Sequence, residues 1–417
     1  MTTLNLITFA SVFQDKTEQS IREAHRELFD ALDSQYDVRV IFEEDLPTFR
    51  PKLQEMTLLF IATGGTEGMV VRRYKELAHP LIFLTDGKAN SLAASMELSC
   101  WVRHQGDTCS ILHGPMRVIM SKLQLLEERK KLSGLRIGVL GEPSDWLVSS
   151  GVSYAKAREV WGIEYVDLDL QQVVQQFEAT PVTPALQEQA DAFIRGAQSC
   201  REPSRDDVFR AVRLFQALRT IARQKRLNAL TIQCFSLIPT THTTGCLALS
   251  MLNDEGIVAG CEGDLQSIFT MLLSQRLTGQ YAFMANPAFI DTERDDILFA
   301  HCTIGLKGCQ QYIIRSHYES QSGVAIQGIL PTGAVTVLKV GGRALDEAFV
   351  SDGELLDNES DQHKCRTQVR VHLSRQGVGE HYFLADSIGN HHIIIPGHHA
   401  EPLQTLFQSM GIKLRQW

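Results

Sequence analysis

Two stretches of the sequence, with a third in reserve, carry side chains able to hold a cation or move a proton. In Gly260-Cys261-Glu262-Gly263-Asp264-Leu265, Glu262 precedes a helix-period run over 265–277, and Asp264 falls where an N-cap belongs. An N-cap carboxylate accepts hydrogen bonds from first-turn amides and meets the positive end of the helix dipole, so capping is the expected duty of Asp264. Glu262, outside the helix and flanked by small residues, has no such duty. It is a better candidate for a ligand than for a cap. The second stretch is Asp386-Ser387-Ile388-Gly389-Asn390-His391-His392, followed by an apolar run and then Pro396-Gly397-His398-His399. Adjacent strand residues point to opposite faces, so His391 and His392 are not expected to share one ion. A surface or core role is the weightier reading for either histidine taken alone. The third group is His301, at a predicted strand end, with His317 and Glu319 on one face of another predicted strand. Taken alone, that group is better explained as a polar strand edge.

The elements that must position these residues follow from periodicity. Residues 4–9, 38–42, 58–62 and 81–84 are short apolar runs, and the last two break into Thr63-Gly64-Gly65-Thr66-Glu67-Gly68 and Thr85-Asp86-Gly87. A helical period covers 18–35. Apolar strands that end in Gly and Thr and lead into helices predict a parallel sheet, whose binding loops lie at the carboxyl ends of its strands. A second α/β block is predicted from strands at 136–140, 166–170 and 230–236. A helical stretch over 182–227 is interrupted only at Glu202-Pro203-Ser204, where Ser204 caps the next helix. From about Asp296 the runs at 311–317, 335–340, 367–373 and 392–395 are β-branched and separated by Gly-rich turns, and no long helical period returns before 400–410. The expectation is an α/β protein with two tandem Rossmann-like parallel-sheet domains, at 1–132 and 133–295, followed by a mostly β domain at 296–417 with a terminal helix. The metal loop belongs to the second.

Composition narrows the function classes. The 417 residues are 44% hydrophobic and 21% charged with a net charge of −9, enough apolar material for several cores and a poor match to a phosphate backbone. No nucleic-acid partner is expected. Nine cysteines without a CxxC pair suit a reducing compartment. Met1-Thr2-Thr3-Leu4-Asn5 lacks the basic start of a signal peptide, and no apolar run reaches the roughly 20 residues of a membrane span, so a cytoplasmic location off the membrane is expected. The Gly-rich 63–68 loop has neither GxGxxG spacing nor a Walker lysine, so a turn or sugar-hydroxyl role is preferred to nucleotide binding.

Glu262-Gly263-Asp264-Leu265, the helix through Leu277-Thr278-Gly279 and the strand to Asn286 resemble the L-fucose isomerase pattern. Gly389-Asn390-His391 and Gly397-His398 resemble the segment near that family's carboxyl end. Residues 63–68, 90–92 and 315–320 are similar to segments of shorter L-fucose isomerase-like relatives in the L-fucose/L-arabinose isomerase superfamily. The resemblance implies a Mn²⁺ or Mg²⁺ site with Glu262 as ligand and acid/base group, His391 as histidine ligand, and Asn286 at the position of a second metal-binding carboxylate. His301 resembles a further histidine ligand of arabinose isomerases, while Gln233 and Asn390 would contact substrate hydroxyls. It further implies a small sugar substrate and a homo-oligomer with sites near subunit interfaces. Asn286 departs from the family pattern, because an amide oxygen can ligate a hard cation but cannot accept a proton at neutral pH. Glu319 or Asp291 would then have to supply a second base, or the reaction differs.

The function implied is aldose–ketose isomerisation of an open-chain monosaccharide through an enediol. Two alternatives stay open. One is the same scaffold with altered chemistry, as an epimerase or an isomerase of a modified, acidic sugar. The other is a non-catalytic sugar-binding or sensor protein, since tandem α/β blocks also build those.

Overall fold

In the N-terminal third the apolar runs become strands covered on both faces. The computed structural model describes residues 1–11, 17–52 and 55–415, which fall into two units, Met1–Ser133 and Gly134–Trp417. In the first unit, β1 (Thr2–Phe9), β2 (Tyr36–Phe42), β3 (Met56–Ile61), β4 (Leu81–Leu84) and β5 (Cys109–Leu112) form a parallel sheet in the order β2-β1-β3-β4-β5. Leu4, Leu6, Leu58 and Phe60 enter one core, whereas Ile7, Phe9, Leu59 and Ile61 enter another. Alternation thus sends apolar side chains both ways, which is why the strands read as continuous rather than alternating runs. The helical stretch expected over 18–35 is two helices, Glu18–Ala24 and Arg26–Asp33. His25 separates them with non-helical dihedrals, and its buried imidazole bonds Asp86 at 2.8 Å through Nδ1.

The second unit opens with a smaller parallel sheet. Its strands β6 (Arg136–Leu140) and β7 (Glu164–Leu168) precede a two-residue strand, β8 (Ser199–Cys200), and the sheet is completed by β9 (Ala229–Ile232) and β10 (Val258–Gly260) in the order β10-β9-β6-β7. Between β7 and β9 lie helices Pro184–Gly196 and Arg205–Gln224, the second closed by a full capping box of Ser204 and Asp207. Such a box satisfies two orphan donors reciprocally, so Ser204 starts a helix as expected, but the break before it begins at Ala197 and contains β8, wider than Glu202-Pro203-Ser204.

The remaining chain is mostly antiparallel, with parallel pairings only of β13 with β8 and of β16 with β19 among the described residues. Strands β11 (Phe283–Asp291) and β12 (Asp296–His301) form a hairpin, and β13 (Gln311–Arg315) with β14 (Ala325–Ile329) joins β8 in a three-stranded sheet. Then β15 (Gly333–Gly341), β16 (Glu347–Glu359), β17 (Thr367–Leu373), β18 (His392–Pro396) and β19 (Lys413–Leu414) complete a sheet ordered β15-β18-β11-β12-β17-β16-β19. Because β15 also pairs with β16, six strands close into a barrel, which removes exposed edges. Phe283, Phe299, Val337, Phe349, Val371 and Ile394 share its core. Two parallel α/β sheets followed by a mostly β domain is therefore the architecture. The barrel takes in β11, which starts upstream of Asp296, and the 13-residue β16, which no sequence run announced. No helix among the described residues is long and apolar enough to cross a membrane.

Candidate metal centre

The loop after β10 is shaped by two consecutive left-handed residues, Glu262 (φ +65°) and Gly263 (φ +69°). A side chain at that conformation costs on the order of 1–2 kcal/mol, and such strain concentrates at functional sites. Gly263 is required sterically as well as torsionally: a Cβ there would lie 2.6 Å from the Glu142 carbonyl oxygen and 2.7 Å from Pro143 Cα. Gly263→Ala is expected to destabilise the second unit by about 1–3 kcal/mol, seen as a lowered denaturation midpoint. The Ser144 amide donates to the Glu262 carbonyl at 2.9 Å, and the Gly263 amide donates to the Ile232 carbonyl at 3.0 Å. These bonds tie the loop to the carboxyl ends of β6 and β9, where a parallel sheet presents its binding loops.

Asp264 then starts helix Leu265–Thr278 as its N-cap, accepting from the Ser267 amide at 2.9 Å. Its second oxygen accepts from the Ser267 hydroxyl at 2.7 Å and from His391 Nδ1 at 2.9 Å. The capping duty is real, and a second duty is added to it. By donating its Nδ1 proton, His391 leaves Nε2 free, as in the carboxylate–histidine–metal arrangement that fixes the tautomer of a ligand. Burial would raise the Asp264 carboxyl, but Lys339 and His391 hold it well below the ordinary range. Lys339 is itself fully buried, with Nζ 3.2 Å from the Ser267 hydroxyl.

Strand β11 sets the height of both histidines. Ala285 pairs with His392 on one side, and Asn286 pairs with Ala300 on the other, so His391 and His301 both end up beside the Ala285–Asn286 step of β11, one residue out of register with each other. Their rings lie 5.4 Å apart, and Nε2 of each is 3.7 Å from Glu262 Oε1. One ligand atom from each of Glu262, His301 and His391 lies within 4.8 Å of the other two. His391 Nε2, which faces Glu262, is buried without a hydrogen-bond partner, as is His301 Nδ1, the ring nitrogen next to the one that faces Glu262. An unpaired buried nitrogen is costly, so a carboxylate converging with two imidazoles fits a divalent cation that would complete His391 Nε2. Burial works to raise the Glu262 carboxyl, yet His301 and His391 hold it far below its usual range, ionised as a ligand must be. A cavity of about 10 Å³ beside His301, lined by Cys261, Met284 and Thr303, has room for one small species and not for a sugar.

Outside this trio the expected residues are dispersed. Asn286 is half-buried in β11, between the strands that bear the two histidines, and no hydrogen bond joins its amide to the trio among the described residues. Gln233 turns back to accept from the Glu142 amide at 3.2 Å, and Asn390 is exposed, its carbonyl accepting from His392 Nδ1 at 2.8 Å. His392 faces the barrel core, where its Nε2 accepts from the Tyr382 hydroxyl at 2.9 Å, so both ring nitrogens are satisfied. Burial and the charge of Lys339 push that imidazole down to about 3, a neutral core residue. Asp291 caps a turn by accepting from the Glu293 and Arg294 amides, and Glu319 is exposed. The strand predicted over 311–317 stops at Arg315, and His317 sits in the following turn with Nδ1 3.1 Å from the Ser320 hydroxyl.

One neighbour of Glu262 escaped the sequence reading. The Trp146 indole donates to Glu262 Oε2 at 2.7 Å, and the residue is 55% exposed. Trp146 meets Phe235 edge-on at 5.3 Å, and Phe235 meets His317 edge-on at 5.3 Å. The signal was available, since Trp146 lies in the loop after β6, at the carboxyl end of a parallel strand.

Comparison with known proteins finds partial similarity to sulfoquinovose isomerases. No family model matches the chain. It is 25% identical over 232 residues to a sulfoquinovose isomerase of Alkalicoccus urumqiensis, covering 53% of this chain and 51% of that protein. It is 23% identical over 269 residues to one of Priestia aryabhattai, covering 61% and 58%. A third such isomerase, from Clostridium sp. (strain MSTE9), is 28% identical over 195 residues, covering 44% and 41%. The chain thus spans about half the length of the curated relatives it matches. Among solved structures, D-threo-3-hydroxyaspartate dehydratase from Delftia sp. HT23 matches at 11% identity over 91% of this chain and 88% of its own, with a TM-score of 0.15, too weak to bear on fold or function.

Proposed function

We propose that the chain is a metal-dependent aldose–ketose isomerase of the L-fucose/L-arabinose isomerase superfamily, acting on an open-chain sugar that carries an anionic group. The observation that carries this reading is the convergence of Glu262, His301 and His391 from three separate elements, with the buried His391 Nε2 lacking a hydrogen-bond partner. The sugar class is supported by the relatives, since sulfoquinovose is a sulfonated hexose. Two imidazoles and one carboxylate suit Mn²⁺ better than Mg²⁺, which prefers an all-oxygen shell. When bound, the ion supplies a Lewis acid for the oxygens of the reacting carbons.

The protein's own residues then have defined tasks. Glu262 and the two histidines hold the ion, and Asp264 fixes the His391 tautomer. Isomerisation moves one proton between neighbouring carbons, so a single carboxylate can take it and return it. Glu262 is the proposed shuttle, its Oε2 aligned by the Trp146 indole. Asn286, which cannot accept a proton, remains a candidate oxygen donor, and Gln233 and Asn390 remain candidates for hydroxyl contacts. The same machinery would serve an epimerase, the reading that Asn286 favours.

Metal dependence is tested directly. Gently purified protein is expected to hold about one Mn²⁺-class ion per chain, and chelation to abolish turnover in a panel of aldoses and ketoses. Adding Mn²⁺ to the stripped protein at about a hundredfold its dissociation constant should stabilise it by about 2.7 kcal/mol, a rise of several degrees in Tm. Absence of metal together with sugar binding would favour a sensor. Tight metal binding with no ketose formed from any aldose would remove the isomerase reading.

A further inference from the structure

Arg366 is a buried cation with no carboxylate paired to it among the described residues. It is 5% exposed, and its guanidinium donates to the Ser316 carbonyl at 2.8 Å and meets the Ser316 hydroxyl at 3.3 Å. It also lies over the Tyr318 ring, 5.7 Å from the centroid. No ion pair joins it to a carboxylate among the described residues, whereas Arg315, next to Ser316, is paired with Glu202 at 2.8 Å. A buried charge is costly unless it is paired, so the missing partner is informative.

Its position makes the vacancy relevant to the candidate site. Thr367 pairs with His301 across β12 and β17, and Arg366 is the residue immediately before it. Ser316, which holds the guanidinium, precedes His317, and His317 continues through Phe235 and Trp146 to Glu262. His317 lies within the electrostatic reach of His301, Glu262 and Arg366. The chain of contacts therefore has a carboxylate with two histidines at one end, a cation at the other, and an aromatic wall between them. Trp146, at the exposed end of that wall, offers a face of the kind on which the C–H surface of a sugar packs.

We propose that Arg366 is the anion-recognition residue of this site, taking the charged group of a sugar whose carbonyl end lies at Glu262, His301 and His391. The inference rests on the isomerase reading for the orientation of the sugar. A planar guanidinium binds sulfonate, phosphate and carboxylate alike by paired N–H donors, so the chemistry recognised is an oxyanion at the chain end remote from the carbonyl.

Calorimetric titration with sulfoquinovose, glucose 6-phosphate and glucose separates the possibilities in the Mn²⁺-loaded wild type, Arg366→Gln and Arg366→Lys. The wild type should bind at least one anionic hexose about 10- to 100-fold more tightly than glucose. The arm that binds best identifies the oxyanion. Arg366→Gln should erase that preference while leaving glucose affinity within about threefold, and Arg366→Lys should keep part of it. A merely structural arginine would weaken all three sugars together, and that result overturns the proposal, as does a wild type indifferent to charge. Should Arg366→Gln fail to fold, the lysine variant decides, because an undiminished preference there also removes the guanidinium from recognition. Turnover is not needed for this readout. Loss of the isomerase reading would leave the binding preference standing, and loss of the preference would leave isomerisation untouched.

Discussion

Replacing Glu262 with glutamine is expected to lower kcat by about 10²- to 10⁴-fold and to weaken metal retention in the same protein. The substitution keeps size and shape, and the strained backbone at φ +65° has no reason to change. What disappears is the negative charge at Oε1, 3.7 Å from both Nε2 atoms, and the oxygen that could take a proton. An amide oxygen still ligates, but it neither neutralises a divalent ion nor accepts a proton at neutral pH. Metal content, kcat and Tm should therefore be measured together. Loss of turnover with metal retained would assign Glu262 to proton transfer alone, and loss of both would assign it to both tasks. Unchanged kcat in a metal-loaded E262Q protein would take Glu262 out of the mechanism.

Asp264→Ala should give the largest loss of stability. Removing one partner from a buried charge pair costs about 3–5 kcal/mol, and loss of an N-cap adds about 0.5–2 kcal/mol. Both apply here, since Asp264 is 1% exposed, caps helix Leu265–Thr278, and is the charge that steadies the buried Lys339. Asp264→Asn should lose less, because an amide oxygen can still accept from the Ser267 amide. Adding Lys339→Met to Asp264→Asn should recover part of the loss, as burying neither charge is better than burying one. Denaturant unfolding of the wild type, Asp264→Asn, Lys339→Met and the double variant closes the cycle, and additive effects would show that Lys339 and Asp264 act independently. The pH dependence has a definite sign. Lys339 and His391 depress the folded-state carboxyl below its unfolded value, so its contribution is complete above the ordinary carboxylate range and is lost as pH falls through the folded-state value. In Asp264→Asn that part of the acid-side loss should be missing.

Local features of this protein were legible from sequence because they depend on residues close together in the chain. Ser204 caps its helix through Asp207, and Asp264 caps through Ser267, both within one turn. Apolar runs ending in Gly and Thr became parallel strands, because strands buried on both faces leave no room for polar alternation. Glu262 could be singled out for the complementary reason, since nothing local called for a carboxylate there. The helix expected over 18–35 failed where a distant residue intervened, as Asp86 draws His25 out of helical geometry.

Which histidines meet Glu262 was a matter of register. His391 and His392 are chemically identical and adjacent, and the pairing of Ala285 with His392 sends one to the candidate metal site and the other into the barrel core. His301 ends β12 beside the same stretch of β11, a placement made by the sheet and not by the residues around His301. The bonds from Trp146 to Glu262, and from Arg366 to Ser316, span 116 and 50 residues, beyond the reach of any periodicity or turn signal. Sequence determined the elements and the one carboxylate with no structural errand. Only closure of the barrel, with strand register locked by packing of its core, could decide which imidazoles that carboxylate would face.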